Sequence, residues 1–414
     1  MNILIYSGNG YNFGEYIKPV LEELCPRASV YFLQGNYCLS PLTRQSLQEI
    51  SELYPDFDFE VVPVYQRGNS VLKYHYAIQK ILKRMEGCAM DLLVLNTDFT
   101  SFDQYLIQMA RRKKIKVVLF HSNLLSPRIF KMAGVGPIRS PGQKSNAPVA
   151  QGSWVWRKWQ GACRRADRYF LRVRYYYLCP WLLTGKSLNE SIYDQFTFTA
   201  GRGDVVIGYD DMEMNALRKV VPLAQAPRVA HHPCVKYRRV DMGAHGRHKL
   251  LVLLSAYAIE LPERQMAFWQ ETLAAVVKKA DIHEVHLRFH PRTNPHLRWP
   301  LGLKNFIQSL GCRLEVIDSS TVSLPQTAGD YAGVVGAMSG AIRTARVVSD
   351  GFVIGLLNAS GDETEEVWMM GHGEGIHWIS PGEAVTEEHL KPFIWDMQSR
   401  PTVSNIIMEL AGKQ

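Results

Sequence analysis

The feature that most constrains the fold is the alternation of short apolar runs with longer segments of helical periodicity. In the first half, this alternation favours βαβ units and a mainly parallel sheet, because a helix that follows a strand brings the chain back to begin a second strand beside the first and parallel to it. The predicted strands are Asn2–Ser7, Ser29–Leu33, Phe59–Val64, Leu92–Asn96, Lys116–Phe120, Asp204–Ile207 and Arg228–Ala230. The predicted helices lie near Glu15–Leu24, Val71–Met85, Phe102–Arg112 and Met212–Val220.

A second α/β unit follows a polar, basic stretch from Val235 to His248, which predicts a linker. The chain has 414 residues, more than one core of about 250–300 residues supports. We therefore expect two Rossmann-like lobes facing a central cleft, the first over residues 1–234 and the second over residues 249–414. The predicted strands of the second lobe, all expected to be buried and parallel, are Lys249–Ser255, Glu284–Phe289, Arg313–Ile317, Gly333–Val335 and Gly351–Leu356. Its predicted helices lie near Glu263–Lys279 and Ala341–Val348. A last predicted helix, near Val403–Leu410, could pack on either lobe.

The alternation of predicted strands and helices stops between about residues 124 and 203, which predicts an insertion in the first lobe. From 124 to 186, 12 Lys and Arg residues accompany one acid, Asp167. The net positive charge of this segment alone therefore exceeds that of the whole chain, which is +8. With its interleaved Trp and Tyr residues, it suits an anionic surface such as lipid headgroups or an acidic glycan, with nucleic acid a less favoured partner. The alternative is a basic solvated face over an aromatic core.

Several classes of protein are excluded by missing signals. The seven cysteines are scattered without a CxxC pair, which argues against a disulfide framework or a zinc site. Neither a GxxxxGK[ST] loop nor a GxSxG turn occurs, and His231 and His232 are adjacent, so they point to opposite sides of an extended segment. Without a signal peptide or a long apolar run, we expect a cytosolic protein, with peripheral membrane contact possible, and neither metal nor cofactor.

Polar residues that follow predicted strands are the candidates for chemistry, because parallel sheets bind ligands beyond the carboxyl ends of their strands. His290, Pro291 and Arg292 follow one such strand, and the proline restrains the backbone that presents the imidazole and the guanidinium. These two groups predict a phosphate site, while the alternative is a loop histidine bonded to backbone.

A second phosphate contact is predicted at the helix after Gly333–Val335. Ser339 lies at its N-cap position, and Gly340 allows an anion to approach the backbone closely. The alternative is an ordinary capped helix in a βαβ unit, which would show the same residues. Glu374, in a glycine-rich run, could accept a hydrogen bond from a ribose hydroxyl or a base. In the first lobe, Gly8 and Gly10 favour the wall of an acceptor pocket over a dinucleotide loop, because the GxGxxG spacing is incomplete.

A general base would have to come from a carboxylate that follows a strand in the cleft. Asp210 and Asp211 form the best pair, because neighbouring carboxylates raise one another's pKa. Their alternative role is to begin the following helix, whose positive end attracts acids. Asp98, on the acceptor side, and Glu260 are weaker candidates.

In their order along the chain, these motifs resemble those of the bacterial sialyltransferases of the two-lobed GT-B type, including the polysialyltransferases. Those families carry an acidic pair, a His-Pro pair and a later serine or serine pair, and Asp210-Asp211, His290-Pro291 and Ser339 stand in that order here. The sequence departs from the pattern at Met212, in place of a glycine, and at Gly340, in place of a second serine. Ser319-Ser320 is an alternative serine pair.

The resemblance implies a GT-B glycosyltransferase that uses an acidic nine-carbon sugar linked to cytidine monophosphate (CMP), without a metal. Asp210 or Asp211 would deprotonate the acceptor, and His290 and Ser339 would hold the donor phosphate. The acceptor would be a glycan or a lipid-linked glycan of a surface polysaccharide. The alternatives are a Kdo or polyol-phosphate transferase of the same fold, and a non-catalytic protein that binds anionic glycans or nucleic acid.

Overall fold

Two fully parallel sheets with flanking helices organise the chain. The computed structural model describes residues 1–10, 13–37, 39–63, 71–96, 101–120, 203–220, 225–238, 248–254, 261–290, 293, 297–319, 321–337, 340–357, 375–392 and 400–412. The insertion predicted near residues 124–203 and most of the predicted linker lie outside these residues. No helix within the described ranges is long and apolar enough to cross a membrane.

The first sheet has seven strands in the order β3-β2-β1-β4-β5-β6-β7. All its neighbours pair in parallel. The strands are β1 Asn2–Asn9, β2 Ser29–Tyr37, β3 Phe57–Val62, β4 Leu92–Leu95, β5 Lys116–Phe120, β6 Val205–Gly208 and β7 Arg228–Val229. The helices connecting them are α1 Lys18–Leu24, α2 Pro41–Leu53, α3 Val71–Gly87, α4 Ser101–Arg112 and α5 Asp211–Val220.

The second sheet has six strands in the order β10-β9-β8-β11-β12-β13, again all parallel. Its strands are β8 Lys249–Leu253, β9 Glu284–Arg288, β10 Arg313–Ile317, β11 Gly333–Ala337, β12 Phe352–Leu356 and β13 His377–Ile379. The helices after them are α6 Glu263–Lys279, α7 Arg298–Ser309, α8 Leu324–Thr327, α9 Gly340–Val348 and α10 Val403–Gly412. Short 3-10 turns complete the described structure at Pro233–Tyr237, Ala328–Asp330 and Glu388–Leu390.

The central strands of each sheet are buried on both faces, which explains why they appear as nearly continuous apolar runs. In β1, Leu4 and Tyr6 pack into one core while Ile3 and Ile5 pack into the core on the opposite face. The second sheet divides its apolar side chains between two cores in the same way. The expectation of two α/β lobes with parallel sheets is therefore confirmed.

One expectation about a strand needs correction, and one open alternative is decided. The strand Arg313–Ile317 was expected to be buried, yet β10 is an edge strand on which Arg313, Glu315 and Val316 are exposed. The last helix, which the sequence allowed to pack on either lobe, packs on the first: Ile406 and Ile407 are fully buried in a core of the first sheet. The chain therefore crosses back, because this first-lobe core has an apolar surface that α10 covers.

Candidate functional site

Each sheet reverses its strand order once, and these reversals locate the candidate site. The reversal lies between β1 and β4 in the first sheet and between β8 and β11 in the second. In open parallel sheets, ligands bind beyond the carboxyl ends of the strands at such a point. The segment following β1 contacts the helix that follows β11, because Glu15 bonds to Thr344. The segments at the two reversal points therefore meet where the lobes join.

Glu15 is the acidic side chain at the centre of this contact. It lies in the π-helical turn Phe13–Ile17, and its Oε2 atom accepts a hydrogen bond of 2.7 Å from Thr344 Oγ1. Thr344 is fully buried, whereas Glu15 keeps partial exposure. Burial raises the pKa of the Glu15 carboxyl, and the Thr344 hydrogen bond and the charge of Arg288 oppose that rise. A carboxylate with a raised pKa and some solvent access has the properties of a general base.

Arg288 supplies positive charge beside Glu15. It is the last residue of β9, and its guanidinium donates to the carbonyl of Val322 at 2.7 Å and to that of Ser319 at 3.4 Å. Burial lowers the pKa of Arg288 while the charge of Glu15 raises it, and an arginine still remains protonated at every working pH. The two carbonyl contacts hold a permanent cation at the carboxyl end of the second sheet, where an anionic group would bind.

A buried ion pair also joins the lobes. Arg343 of α9 donates through Nη1 to Glu213 Oε1 of α5 at 3.0 Å. The Glu213 side chain is 3% exposed and that of Arg343 is 18% exposed. The pair fixes α9, the helix that begins beside the predicted phosphate site, against the first lobe.

An aromatic cluster lies next to this pair. The His232 ring centroid is 4.8 Å from that of Tyr16 and 5.0 Å from that of Tyr209. His232 Nδ1 accepts a hydrogen bond from the backbone N–H of Cys234, and burial, assisted by the charge of Arg343, lowers the pKa of the imidazole to about 3. His232 is therefore neutral near pH 7, with its proton on Nε2. It contributes packing and a backbone contact to the junction of the lobes.

The predicted base pair begins α5. Asp210 Oδ1 accepts a hydrogen bond of 2.9 Å from the backbone N–H of Glu213, which makes it the N-cap of the helix. Asp211 is the first helical residue; its side chain is 63% exposed and lies 2.6 Å from Arg400 Nη2. Both residues thus perform the helix-start role that the sequence left open, and their role as base stays a prediction.

The predicted phosphate residues are placed in part. His290 is described and half-buried, two residues beyond the end of β9, and its carbonyl accepts from Thr293 N–H at 2.8 Å. Gly340 begins α9, with open space where a Cβ atom would lie. Arg292 and Ser339 lie outside the described residues, as does Pro291.

The remaining candidates belong to the acceptor side and to the ribose contact. Gly8 lies within β1, where a Cβ atom would come 3.0 Å from the Tyr6 hydroxyl, and Gly10 is buried just beyond the strand. Asp98, Glu260 and Glu374 lie outside the described residues.

The side chains that connect the lobes were not singled out from the sequence. Glu15 was assigned only to a helix start, and Glu213, Arg343 and Thr344 only to helices. Glu15 and Thr344 are 329 positions apart, so no local pattern could have paired them. Arg288 had a usable signal, since it is the second-last residue of the predicted strand Glu284–Phe289 and stands two residues before His290.

Comparison with known proteins establishes the fold. No family model matches the sequence, and no curated protein matches it significantly. Among solved structures, the UDP-GlcNAc 2-epimerase from Neisseria meningitidis bound to UDP-GlcNAc aligns over 100% of both chains, with a TM-score of 0.54 and 13% identity. A protein from Listeria monocytogenes assigned as a UDP-N-acetylglucosamine 2-epimerase has a TM-score of 0.51 and 10% identity, covering 92% of this chain and 84% of its own. Anabaena HepE in complex with UDP and glucose has a TM-score of 0.47 and 13% identity, over 100% and 99% of the two chains.

At these identities, the first two similarities show a common fold and no more. The chain has the two-lobed GT-B architecture: two Rossmann-like lobes, each built on a parallel sheet with flanking helices.

Proposed function

We propose that this protein is a glycosyltransferase that binds a nucleotide-activated sugar between its lobes and transfers the sugar to an acceptor hydroxyl. The observation that carries the proposal is Glu15, a half-buried residue whose carboxyl has a raised pKa and which follows β1 and bonds to α9. The fold supports it, since a protein of this architecture binds UDP-GlcNAc. A transferase of this kind needs an acceptor base in one lobe and positive charge in the other, and Glu15 and Arg288 provide them.

The chemistry assigns one role to each lobe. Glu15 removes the proton of the acceptor hydroxyl as the acceptor oxygen bonds to the anomeric carbon and the bond from that carbon to the donor phosphate breaks. Arg288 and the N–H groups at the Gly340 helix start stabilise the charge that develops on the departing phosphate. His290 donates a hydrogen bond to the same phosphate, together with Arg292 and Ser339. Gly8, Gly10 and Asp98 would contribute to acceptor binding.

The donor we propose is an acidic, sialic-acid-like sugar linked to CMP. Its support is the motif order Asp210-Asp211, His290-Pro291 and Ser339, with Glu374 available to the ribose or the base. Catalysis would need neither metal nor cofactor, because Arg288 and His290 supply the charge stabilisation. A Kdo or polyol-phosphate donor is the runner-up.

The acceptor we propose is a glycan or lipid-linked glycan of a surface polysaccharide. The basic, aromatic segment 124–186 would hold the protein at the anionic inner face of the membrane, with the catalytic lobes in the cytoplasm. A protein that only binds anionic glycans or nucleic acid would use the same segment, but its binding would be indifferent to substitution of Glu15 or His290.

The test combines ligand binding with turnover. Cytidine, uridine, guanosine and adenosine nucleotides are compared for the rise in melting temperature they cause, because a ligand that binds only the folded state stabilises it. Transfer from the matching nucleotide sugar is then measured for the wild type, Glu15→Gln and Asp210→Asn. Glutamine retains an oxygen for the Thr344 hydroxyl, so Glu15→Gln should fold normally and lose roughly 10²-fold or more in kcat.

The pH profile provides a second readout. The base must be ionised, so kcat falls as the pH falls through the raised pKa of Glu15, and that acid limb should be absent from the residual activity of Glu15→Gln. Full turnover by Glu15→Gln together with a loss in Asp210→Asn would return the base to the acidic pair. Conversion of UDP-GlcNAc without an acceptor would replace the transferase assignment with an epimerase reaction.

A further inference from the structure

A second group of ionisable side chains lies on the second lobe, on strands β9 and β10. Glu284 and His286 are two residues apart on β9, so they project from the same face of the sheet. Glu315 of β10 pairs with His286 in the sheet register and therefore shares that face. Their side chains are 15%, 11% and 52% exposed in that order. The group is nearly enclosed and opens to solvent at Glu315, the side from which a small ligand could enter.

The distances within this group suit a shared cation. One nitrogen or oxygen atom from each residue lies within 4.8 Å of the other two. His286 Nε2 is 2.7 Å from Glu284 Oε1 and 3.4 Å from Glu315 Oε2. Ligands on a tetrahedral Zn²⁺ with bonds of about 2.0–2.2 Å lie about 3.4 Å apart. Small side-chain shifts would therefore bring all three atoms into coordination without movement of the strands.

Tyr331 orients the imidazole for this role. Its hydroxyl lies 2.9 Å from His286 Nδ1, and the two rings meet edge to face at 5.3 Å. Tyr331 is 4% exposed and belongs to a core of the second sheet, so its ring is held in place by the residues packed around it. In the metal-bound state, Nδ1 would donate its proton to this oxygen, which leaves the Nε2 lone pair, on the side of the carboxylates, for the metal. Ligating histidines in metal sites are held in this way by a partner on the other nitrogen.

The carboxylates are also prepared for a cation. Lys249 Nζ lies 3.4 Å from Glu284 Oε2, whereas His286 faces the other oxygen, Oε1. One carboxylate oxygen can therefore keep the lysine while the other ligates a metal. Two carboxylates would neutralise a divalent ion.

A comparison group on the same lobe has less suitable geometry. His248, Asp281 and His283 also lie close together, but all three are exposed. The two imidazole rings stack in parallel, with centroids 4.7 Å apart and planes 8° apart, and His248 Nδ1 lies 2.8 Å from the Asp281 carbonyl. Parallel rings direct their lone pairs alongside each other and not toward one point.

We propose that Glu284, His286 and Glu315 bind a divalent transition-metal ion, Zn²⁺ in the first instance, with water completing its coordination. One imidazole and two carboxylates are ligands that Zn²⁺ and Mn²⁺ accept. The ion would join the exposed edge strand β10 to β9 and would stabilise the second lobe. It takes no part in the proposed transfer reaction.

The test is a titration of the full-length, chelator-treated protein with ZnCl₂, followed by melting temperature and by calorimetric stoichiometry. One Zn²⁺ per chain should bind, and at a concentration 100-fold above Kd the melting temperature should rise by roughly 5–10 °C. Glu315→Gln, at an exposed position that should fold normally, should weaken Zn²⁺ binding at least 10-fold. Tyr331→Phe, which removes only the orienting hydroxyl, should weaken it by about 10–100-fold.

Asp281→Asn is the matched control, because it alters the comparison group and leaves the proposed ligands intact. It should bind Zn²⁺ with wild-type affinity. The proposal is overturned if the wild type shows no Zn²⁺-dependent stabilisation. It is equally overturned if binding survives Glu315→Gln and is lost in Asp281→Asn. Glycosyl transfer is not measured, so failure here leaves the proposed function untouched.

Discussion

Replacement of Arg343 by methionine provides the sharpest test of how the lobes are held together. Arg343 of α9 and Glu213 of α5 form a 3.0 Å pair in which Glu213 is 3% exposed. Methionine retains most of the side-chain volume but removes the charge and the donors. A nearly buried carboxylate would then remain without its cation at the junction between the two lobes.

The expected cost follows from the burial of the two partners. Removing one partner of a buried pair costs about 3–5 kcal/mol, because the remaining charge has lost its solvation and its partner together. Arg343 keeps 18% exposure, so water can reach the site and the lower end applies, about 3 kcal/mol. For lobes of this size, that corresponds to a fall in melting temperature of roughly 6–12 °C.

Differential scanning calorimetry of a double-mutant cycle measures this effect. Glu213→Leu combined with Arg343→Met removes both charges, and the double variant should recover to within about 1 kcal/mol of the wild type. Asp211→Asn is the matched control at the start of the same helix; its pair with Arg400 is exposed and should be worth under about 1 kcal/mol. A cost below about 1 kcal/mol for Arg343→Met, or strict additivity in the cycle, would refute the reasoning.

Three further predictions concern single positions. His232 takes up its proton near pH 6.5 when the chain is unfolded and near pH 3 when it is folded. The free energy of unfolding should therefore decrease as the pH falls through that window, by up to about 1.4 kcal/mol per pH unit. Denaturant titrations at several pH values should show a weaker pH dependence of stability for His232→Asn. In Asp210→Ala, loss of the helix cap should lower the free energy of unfolding, measured by thermal melting, by about 1 kcal/mol while kcat is retained. A loss of kcat with unchanged stability would contradict the cap role. In Gly351→Ala, the new Cβ atom would overlap the Ala332 carbonyl oxygen, so urea unfolding should show a loss of about 1–3 kcal/mol in the free energy of unfolding. Wild-type stability of this variant would contradict the predicted overlap.

The elements recovered from the sequence are those whose apolar pattern is complete within a few residues. The strands at Lys116–Phe120 and Glu284–Arg288 were predicted nearly to their ends, because burial on both faces leaves an unbroken apolar run. Helix Arg298–Ser309 was missed, since Pro300 and Gly302 argue against a helix, although proline is tolerated in the first turn. The strand His377–Ile379 is too short to show a period.

The residues of the candidate site show the same difference between local and long-range signals. His290 and Gly340 could be proposed because each follows directly on a strand, where ligands of parallel sheets bind. Glu15 could not, because an acid near the start of a helix has an ordinary local explanation, and only its bond to Thr344 distinguishes it. Asp210 shows the converse, because the sequence made it a candidate base and the structure shows its side chain capping a helix.

Sequence alone determined the class of fold, because the alternation of buried strands and amphipathic helices is a local property that leaves few ways to bury every apolar face. The predicted boundary between the lobes, residues 235–248, stays a prediction; the first sheet ends at Val229 and the second begins at Lys249. Only the tertiary structure decided which polar groups meet. Arg343 and Glu213 are 130 positions apart, and the helix Val403–Gly412 returns to the first lobe across the whole second one. Such contacts depend on how finished lobes pack, and no local pattern encodes them.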